Sequence, residues 1–381
     1  MLSDRFYYAS PRESVFSAAV VSCVPEGDRF RVTLDRAGFY PGGGGQPADT
    51  GFVDGIPAVG TGEDDPAVLL PSPLEPGRRV RCEIDLARRL AFMRRHSGEH
   101  IVSGLLHRMT GGDNVGFHMN ESLVTLDWSL PLDEKTLRDA ERRANGIVLE
   151  NVPVTAAVYP AAPSGIAYRA KRAIEGAVRL VTVEGADVCA CCGLHVERTG
   201  EIGLIRLVDA MKWKGGTRVT MLAGMDAYED AAAVAAQNRE VARLVSAKPY
   251  ETAAGVRASL EAAEALRQKN TDLKKRLTAC RVAELSAVPG MLVLFEDGMT
   301  PDELRRFALE LSAARPEPVA VFTGADASGY RYAIAQEGGD VRALTKALNA
   351  RFSGRGGGSA VLTQGSLTGS RAEIEAAVRE G

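Results

Sequence analysis

Two short stretches concentrate the side chains that can hold a metal ion. In His96-Ser97-Gly98-Glu99-His100 the imidazoles stand four residues apart, so a helix would present both on one side, about 6 Å apart along its axis. Cys189-Ala190-Cys191-Cys192-Gly193-Leu194-His195 repeats the step with Cys191 and His195. Together the two pairs supply four nitrogen and sulfur donors, the set that tetrahedral Zn²⁺ prefers and that is too soft for Mg²⁺ or Ca²⁺. Alone, the first pair reads more readily as two partly buried histidines bonded to neighbours, and it is the joint occurrence that points to zinc. Cys189 or Cys192 could replace Cys191, the remaining thiols then packing in a small buried site. His107 shares the face but lies about 10 Å further along, too far to join.

The same residues also spell His-x-x-Glu-His, the inverted zinc-protease pattern, in which Glu99 would be the general base. Glu175 then becomes a position where a third, carboxylate ligand could be sought. That reading leaves the Cys191 to His195 segment unexplained, along with two glycine runs. The first run is Phe39-Tyr40-Pro41-Gly42-Gly43-Gly44-Gly45-Gln46 and the second Gly354-Arg355-Gly356-Gly357-Gly358. Neither ends in Gly-Lys-Ser/Thr, so triphosphate chemistry has no support. Bare backbone N–H groups suit close approach by a ligand or another strand, and a plain turn is the alternative. Lys212-Trp213-Lys214-Gly215-Gly216-Thr217-Arg218 gathers three cations around a ring, which would suit a phosphate backbone with a stacked base or simply a solvated face.

The elements that must position these groups follow from hydrophobic period. Alternation at Phe30, Val32 and Leu34 and again at Val80, Cys82 and Ile84, with turn residues between, predicts a small antiparallel β-barrel over residues 1–85, holding the first glycine run. Leu86, Leu90, Met93, Ile101 and Leu105 predict a helix of about 24 residues ending at Gly111-Gly112. With the mixed elements that follow it makes an α+β core over 86–225. From 226 to 286 the composition turns to Ala, Glu, Arg, Lys and Leu, broken at Lys248-Pro249. A stripe at Val256, Leu260, Ala263, Leu266, Leu273, Leu277 and Cys280, interrupted by Asn270, predicts a coiled-coil hairpin, a dimer seam or a helix packed on its own domain. Residues 287–381 read as a C-terminal α/β domain, and the fold class is α+β throughout.

Composition narrows the partners. Forty-six Lys and Arg against forty-nine Asp and Glu leave a net charge of −3, so an anionic partner must be met by local patches and not by a global field. No run approaches the roughly 18 apolar residues of a membrane span, and residues 15–24 follow mixed charges, which suits a strand better than a signal peptide. Six cysteines, three of them clustered, are too few for a disulfide scaffold and fit a reducing cytoplasm.

In order along the chain, the Phe39 to Gln46 run, His96-x3-His100, Cys191-x3-His195 and the Gly354 to Gly358 run resemble the editing half of alanyl-tRNA synthetase. Closer still is the long form of the AlaX trans-editing proteins, over nearly the whole chain. The resemblance implies a zinc-dependent aminoacyl-tRNA deacylase that hydrolyses the ester of mischarged alanine tRNA carrying serine or glycine, with no charging activity. By the same comparison His96, His100, Cys191 and His195 fall on the zinc ligands, and Phe39, Tyr40, Gly43, Gly44, Gly45 and Gln46 beside the acyl pocket. Lys212, Lys214 and Arg218 join Arg355, Gly356, Gly357 and Gly358 as candidate tRNA contacts, and a homodimer could form through the coiled coil or the C-terminal domain. Zinc with four protein ligands would organise the pocket, whereas an opened position would activate water. Glu99 is then either a base or a partner that orients a ligand imidazole. Ala37-Gly38 stands where many relatives have Thr, which weakens the expected readout of a serine hydroxyl, and residues 114–118 lack an expected Gln. The alternatives are a tRNA-binding or scaffolding module with structural zinc, and the metalloprotease. Because ligand imidazoles must be neutral, zinc should leave on acidification around pH 6.

Overall fold

The computed structural model describes residues 5–62, 67–170 and 175–380. The chain divides into two compact units, Met1–Glu240 and Val241–Gly381. In the first, a one-turn helix α1 (Phe6–Ala9) precedes β1 (Val15–Glu26), β2 (Arg29–Leu34), β3 (Thr50–Val53), β4 (Ile56–Gly60), β5 (Val68–Leu70) and β6 (Arg79–Ile84). These six strands close into a barrel in the order β1-β2-β5-β4-β3-β6. The period-two alternation drives the closure: Phe16, Ala18, Val20, Val32, Leu34, Val80, Cys82 and Ile84 all point into one core.

Helix α2 (Leu86–Thr110) starts where the Asp85 carboxylate accepts the Arg88 N–H at 3.0 Å, and ends at Gly111, whose φ of 71° only a glycine adopts cheaply. Beyond it come β7 (Asn114–Met119), β8 (Val124–Trp128), α3 (Glu134–Glu150), β9 (Val154–Tyr159), β10 (Val178–Val183), β11 (Asp187–Ala190), β12 (Ile205–Trp213) and β13 (Gly216–Ala223). The strands form a four-stranded sheet, β12-β13-β8-β7, and a three-stranded one, β11-β10-β9. Elements of both sheets and α3 pack on α2, so its middle is buried on nearly every side and not along a single stripe. Gly104 matters here, because a Cβ would lie 2.3 Å from the Ala186 carbonyl oxygen. Its absence lets the β10–β11 turn rest on the helix one turn beyond His100. On the opposite side the buried Arg89 guanidinium grips the Asp49 carboxylate and the Gly38 carbonyl, tying α2 to the first glycine run.

Helix α4 (Met225–Leu244) crosses the boundary between units and α5 (Thr252–Ser286) follows the break at Lys248-Pro249. In the single chain the leucines of the α5 stripe lie on the surface: Leu260, Leu266, Leu273 and Leu277 are 54–71% exposed. The second unit continues with β14 (Leu292–Phe295), α6 (Pro301–Ala313), β15 (Val319–Ala325), β16 (Gly329–Ala335), α7 (Arg342–Arg351), β17 (Arg355–Gly358), β18 (Leu362–Leu367) and α8 (Arg371–Glu380). Its sheet runs β14-β15-β16-β18-β17, with β14 and β15 parallel. The second glycine run is thus an edge strand and not a loop. Gly356 faces Gly365 across β17 and β18, and a Cβ on either would meet the Tyr332 hydroxyl at 2.5 or 2.6 Å, so glycine is what allows these strands to pair. Among the described residues no helix is long and apolar enough to cross a membrane.

Candidate metal centre

Helix α2 presents His96 and His100 one turn apart, and the loop after β11 brings Cys191 and His195 to them. All four ligand atoms lie within 4.8 Å of one another. Cys191 Sγ is 3.4 Å from His96 Nε2 and 3.5 Å from His195 Nε2. His195 sits 4.5 Å from each of the other two rings, centroid to centroid. The three imidazoles are at most 9% exposed.

Each imidazole has its second nitrogen engaged from behind. His96 Nδ1 is 2.8 Å from Gln46 Oε1, which also accepts the Leu194 N–H at 2.9 Å, and those two donors identify the amide oxygen. His195 Nδ1 is 3.2 Å from Ser97 Oγ, which accepts the Val196 N–H as well. His100 Nδ1 lies 3.1 Å from Asp187 Oδ2, off the line of a good hydrogen bond, so that attraction is chiefly electrostatic. Asp187 is held in turn by a two-pronged pair with Arg169, at 2.8 and 2.7 Å. Protons on the outward Nδ1 atoms turn the Nε2 atoms inward, the arrangement by which ligand imidazoles are oriented toward a metal.

The electrostatics agree with that donor set. Burial opposes ionisation of the Cys191 thiol, but the His96 and His100 imidazoles overcome it and hold the thiol well below its usual range. Burial also disfavours a charged His100, yet the Cys191 sulfur and the Asp187 carboxylate raise it well above the ordinary imidazole value. His195 stays neutral, pushed down by burial and then by the other two imidazoles. The thiolate that a metal requires is therefore stabilised in advance.

The loop itself is clamped. Arg179 donates to the Cys191 and Gly193 carbonyls at 2.9 and 3.0 Å, the Tyr8 hydroxyl to the Cys192 carbonyl at 2.6 Å, and the Gly193 N–H to Cys191 Sγ at 3.3 Å. Of the thiols left open by sequence, Cys192 is exposed and Cys189 shares a second group with His100 and Asp187. Burial pushes Cys189 up to about 11, and Arg169 already occupies both Asp187 oxygens, so the four-donor group is the better metal site.

The remaining sequence candidates separate. Gln46 backs His96. Phe39 and Tyr40 are packed in the barrel core and the α2 core, the Tyr40 hydroxyl donating to the Gly43 carbonyl at 3.0 Å. Gly43, Gly44 and Gly45 form the loop tip, with Gly45 lying so close to Phe117 that a Cβ would sit 2.3 Å from its ring. Phe117 stacks on His96 at 5.3 Å. Glu99 Oε1 accepts from Ser103 Oγ and Asn114 Nδ2, both at 2.6 Å, which braces β7 against α2. His118 and Glu175 are exposed, neither belongs to a metal-ligating group among the described residues, and His107 bonds the Gly112 carbonyl at the helix end. Lys212, Lys214 and Arg218 lie on the β12–β13 hairpin, where Arg218 is paired through two bonds with Asp127 and covers the Trp213 ring at 3.8 Å. Arg355 and Gly356 to Gly358 form exposed β17, a part of the second unit. Sequence reasoning missed Ser97, Asp187, Arg169, Arg179 and Tyr8; only Ser97 had a signal, its place inside the histidine motif.

Residues 178–220 match the family described as the threonyl and alanyl tRNA synthetase second additional domain, a span that includes Cys191 and His195. The alanyl-tRNA editing protein AlaX-L of Pyrococcus horikoshii is 30% identical over 217 residues, 54% of this chain and 54% of that protein. The alanine-tRNA ligases of Methanothermobacter thermautotrophicus and Pyrococcus abyssi are 28% and 30% identical over 82% and 95% of this chain, and 37% and 41% of their own lengths. The chain thus spans about half or less of these relatives. Among solved structures, the C-Ala domain of Aquifex aeolicus alanyl-tRNA synthetase aligns with 24% of this chain and 87% of its own length at 21% identity and a TM-score of 0.20. By sequence the chain is thus similar to an alanyl-tRNA editing protein and to alanine-tRNA ligases, and residues 178–220 match a domain of threonyl and alanyl tRNA synthetases.

Proposed function

We propose that this protein is a zinc-dependent aminoacyl-tRNA deacylase, removing serine or glycine from mischarged alanine tRNA by hydrolysis of the ester at the 3′ end. The carrying observation is the convergence of His96, His100, Cys191 and His195 within 4.8 Å from segments 95 residues apart. The three imidazoles are backed by Gln46, Ser97 and Asp187, and the donor chemistry suits Zn²⁺. Similarity to a protein named for alanyl-tRNA editing supports the substrate class.

Bound there, zinc would supply a Lewis acid that organises the pocket or polarises the ester carbonyl. The chain's own residues do the positioning. Gln46 fixes His96 and the Leu194 backbone with a single oxygen, tying the glycine run to the cysteine loop. Gly43 to Gly45 form a loop tip without side chains, where the acylated end of a tRNA would meet backbone. Gly38 offers no hydroxyl to a serine substrate, since a side chain there would strike the Phe16 ring at 2.1 Å.

A complete set of four protein donors also favours a second reading, a tRNA-binding module whose zinc is structural. Incubation with serine-, glycine- and alanine-charged tRNA decides. Release of serine or glycine at a rate that collapses in His100→Ala supports the deacylase. Intact ester after prolonged incubation with zinc-loaded protein leaves the module.

A further inference from the structure

Strand β9 is the last of its sheet, and the segment after the cysteine loop joins its outer side for one rung only. The Val154 N–H bonds the Glu197 carbonyl at 2.9 Å, and the Thr199 N–H bonds the Val152 carbonyl at 3.0 Å. The antiparallel pattern calls next for the Ala156 N–H on the His195 carbonyl and the Glu197 N–H on the Val154 carbonyl. Among the described residues neither bond forms. A cavity of about 190 Å³ opens there instead, with Val154 and Ala156 on one side and Leu194 to Glu197 on the other, so His195 of the four-donor group is part of its wall. Because the Val154 N–H points away from β10, the two-residue period turns the Val154 carbonyl and the Ala156 N–H the same way, into the gap. Arg179 lines the cavity too. It is 9% exposed, its Nη1 holds the Cys191 and Gly193 carbonyls, and its Nε and Nη2 bond nothing among the described residues. Those two donors of a largely buried guanidinium call for a partner in the cavity.

We propose that this cavity takes the terminal adenine of the acylated tRNA, in place of the missing rung. The adenine amino group donates to the Val154 carbonyl and its N1 accepts the Ala156 N–H, which is the reading of a base by its Watson–Crick edge. Arg179 supplies donors to acceptors elsewhere on the nucleoside. The cavity is smaller than the roughly 300–1,000 Å³ that takes a drug-sized ligand, which suits one base and not a run of nucleotides. The ester hangs from the sugar of this same nucleotide, so a base held against His195 keeps the ester near the four donors. The proposal rests on the reading of acylated tRNA as the substrate, and it gives Val154, Ala156 and Arg179 a role in reading the base that nothing above assigns.

The test uses the full zinc-loaded chain and a probe without an ester, serine joined through an amide to 3′-amino-3′-deoxyadenosine, followed by calorimetry. Its inosine counterpart has the same size but an acceptor where adenine has its amino group and a donor at N1. The inosine probe should bind at least about tenfold more weakly, the worth of two neutral hydrogen bonds. Ala156→Pro removes one N–H from an outer strand edge, where proline is tolerated; it should weaken the adenosine probe and narrow the gap between the two bases, with zinc affinity unchanged. Equal binding of the two probes to the parent would overturn the proposal whatever the variant does, and so would a folded Ala156→Pro with the parent's preference. Displacement of the probe by inorganic phosphate would overturn it as well, since that marks an anion site around Arg179. A preference for adenosine without hydrolysis of serine-charged tRNA would sink only the deacylase reading, and hydrolysis without the preference only this one.

Discussion

Gly193 is the most direct probe of the metal centre. Its φ lies outside the left-handed region, so alanine is permitted by the backbone and excluded only by space. A Cβ there would stand 2.1 Å from His96 Cε1, 2.3 Å from His96 Nδ1 and 3.0 Å from Gln46 Oε1. Ordinary contact begins near 3.4 Å, so the imidazole must retreat by more than an ångström, with Phe117 stacked on it. That motion parts Nδ1 from Gln46 and carries Nε2 away from Cys191. Overpacking of this kind costs about 1–3 kcal/mol of stability. Loss of a ligand's orienting partner alone weakens metal binding by about 10–100-fold, and displacing the ligand itself should exceed that. The assay is zinc affinity of Gly193→Ala by chelator competition, beside melting curves of the metal-free and loaded forms. A folded variant that holds zinc with the parent's affinity would refute both the packing argument and the place of His96 in the site.

Asp187→Asn should weaken zinc binding by about 10–100-fold and lower the melting temperature, since it unpairs a largely buried Arg169; chelator competition on the folded variant checks the first effect apart from the second. Loading metal-free protein near neutral pH should release about one proton, read by calorimetry in buffers of different ionisation enthalpy. The sign follows from His100, raised well above its ordinary value and so protonated before the metal arrives, while Cys191 is lowered and already ionised. Apparent affinity therefore rises with pH through the His100 transition, and proton competition begins above the pH 6 expected from an unperturbed imidazole. Glu99→Gln should leave hydrolysis within about tenfold of the parent, because both of its donors hold Oε1 in a brace; a fall of about 10² or more would make it a base.

The four converging donor residues were legible because their chemistry is local. A four-residue step on a strongly periodic helix and a cysteine-rich loop announce themselves whatever surrounds them. Their backing was not legible, since Asp187 meets His100 only because Gly104 admits the β10–β11 turn, and no spacing encodes that. Strands β2 and β6 followed from alternation, whereas β17 did not, because glycine carries no hydrophobic signal and its reason, the Tyr332 hydroxyl, lies on another strand. Gln46 was visible as part of a motif but not as a support for His96. The α5 stripe is different again: its period is helical, and its leucines are exposed in the single chain.

His96 and Cys191 are 95 residues apart in the chain, and an ion gripping both would act as a reversible cross-link across that span. Constraining a loop of this size in the unfolded chain is worth about 4–5 kcal/mol on the chain-entropy model, a large share of what keeps a domain folded. Metal supply would then set how much intact protein persists as well as what it catalyses, so starvation for the ion should deplete the molecule itself.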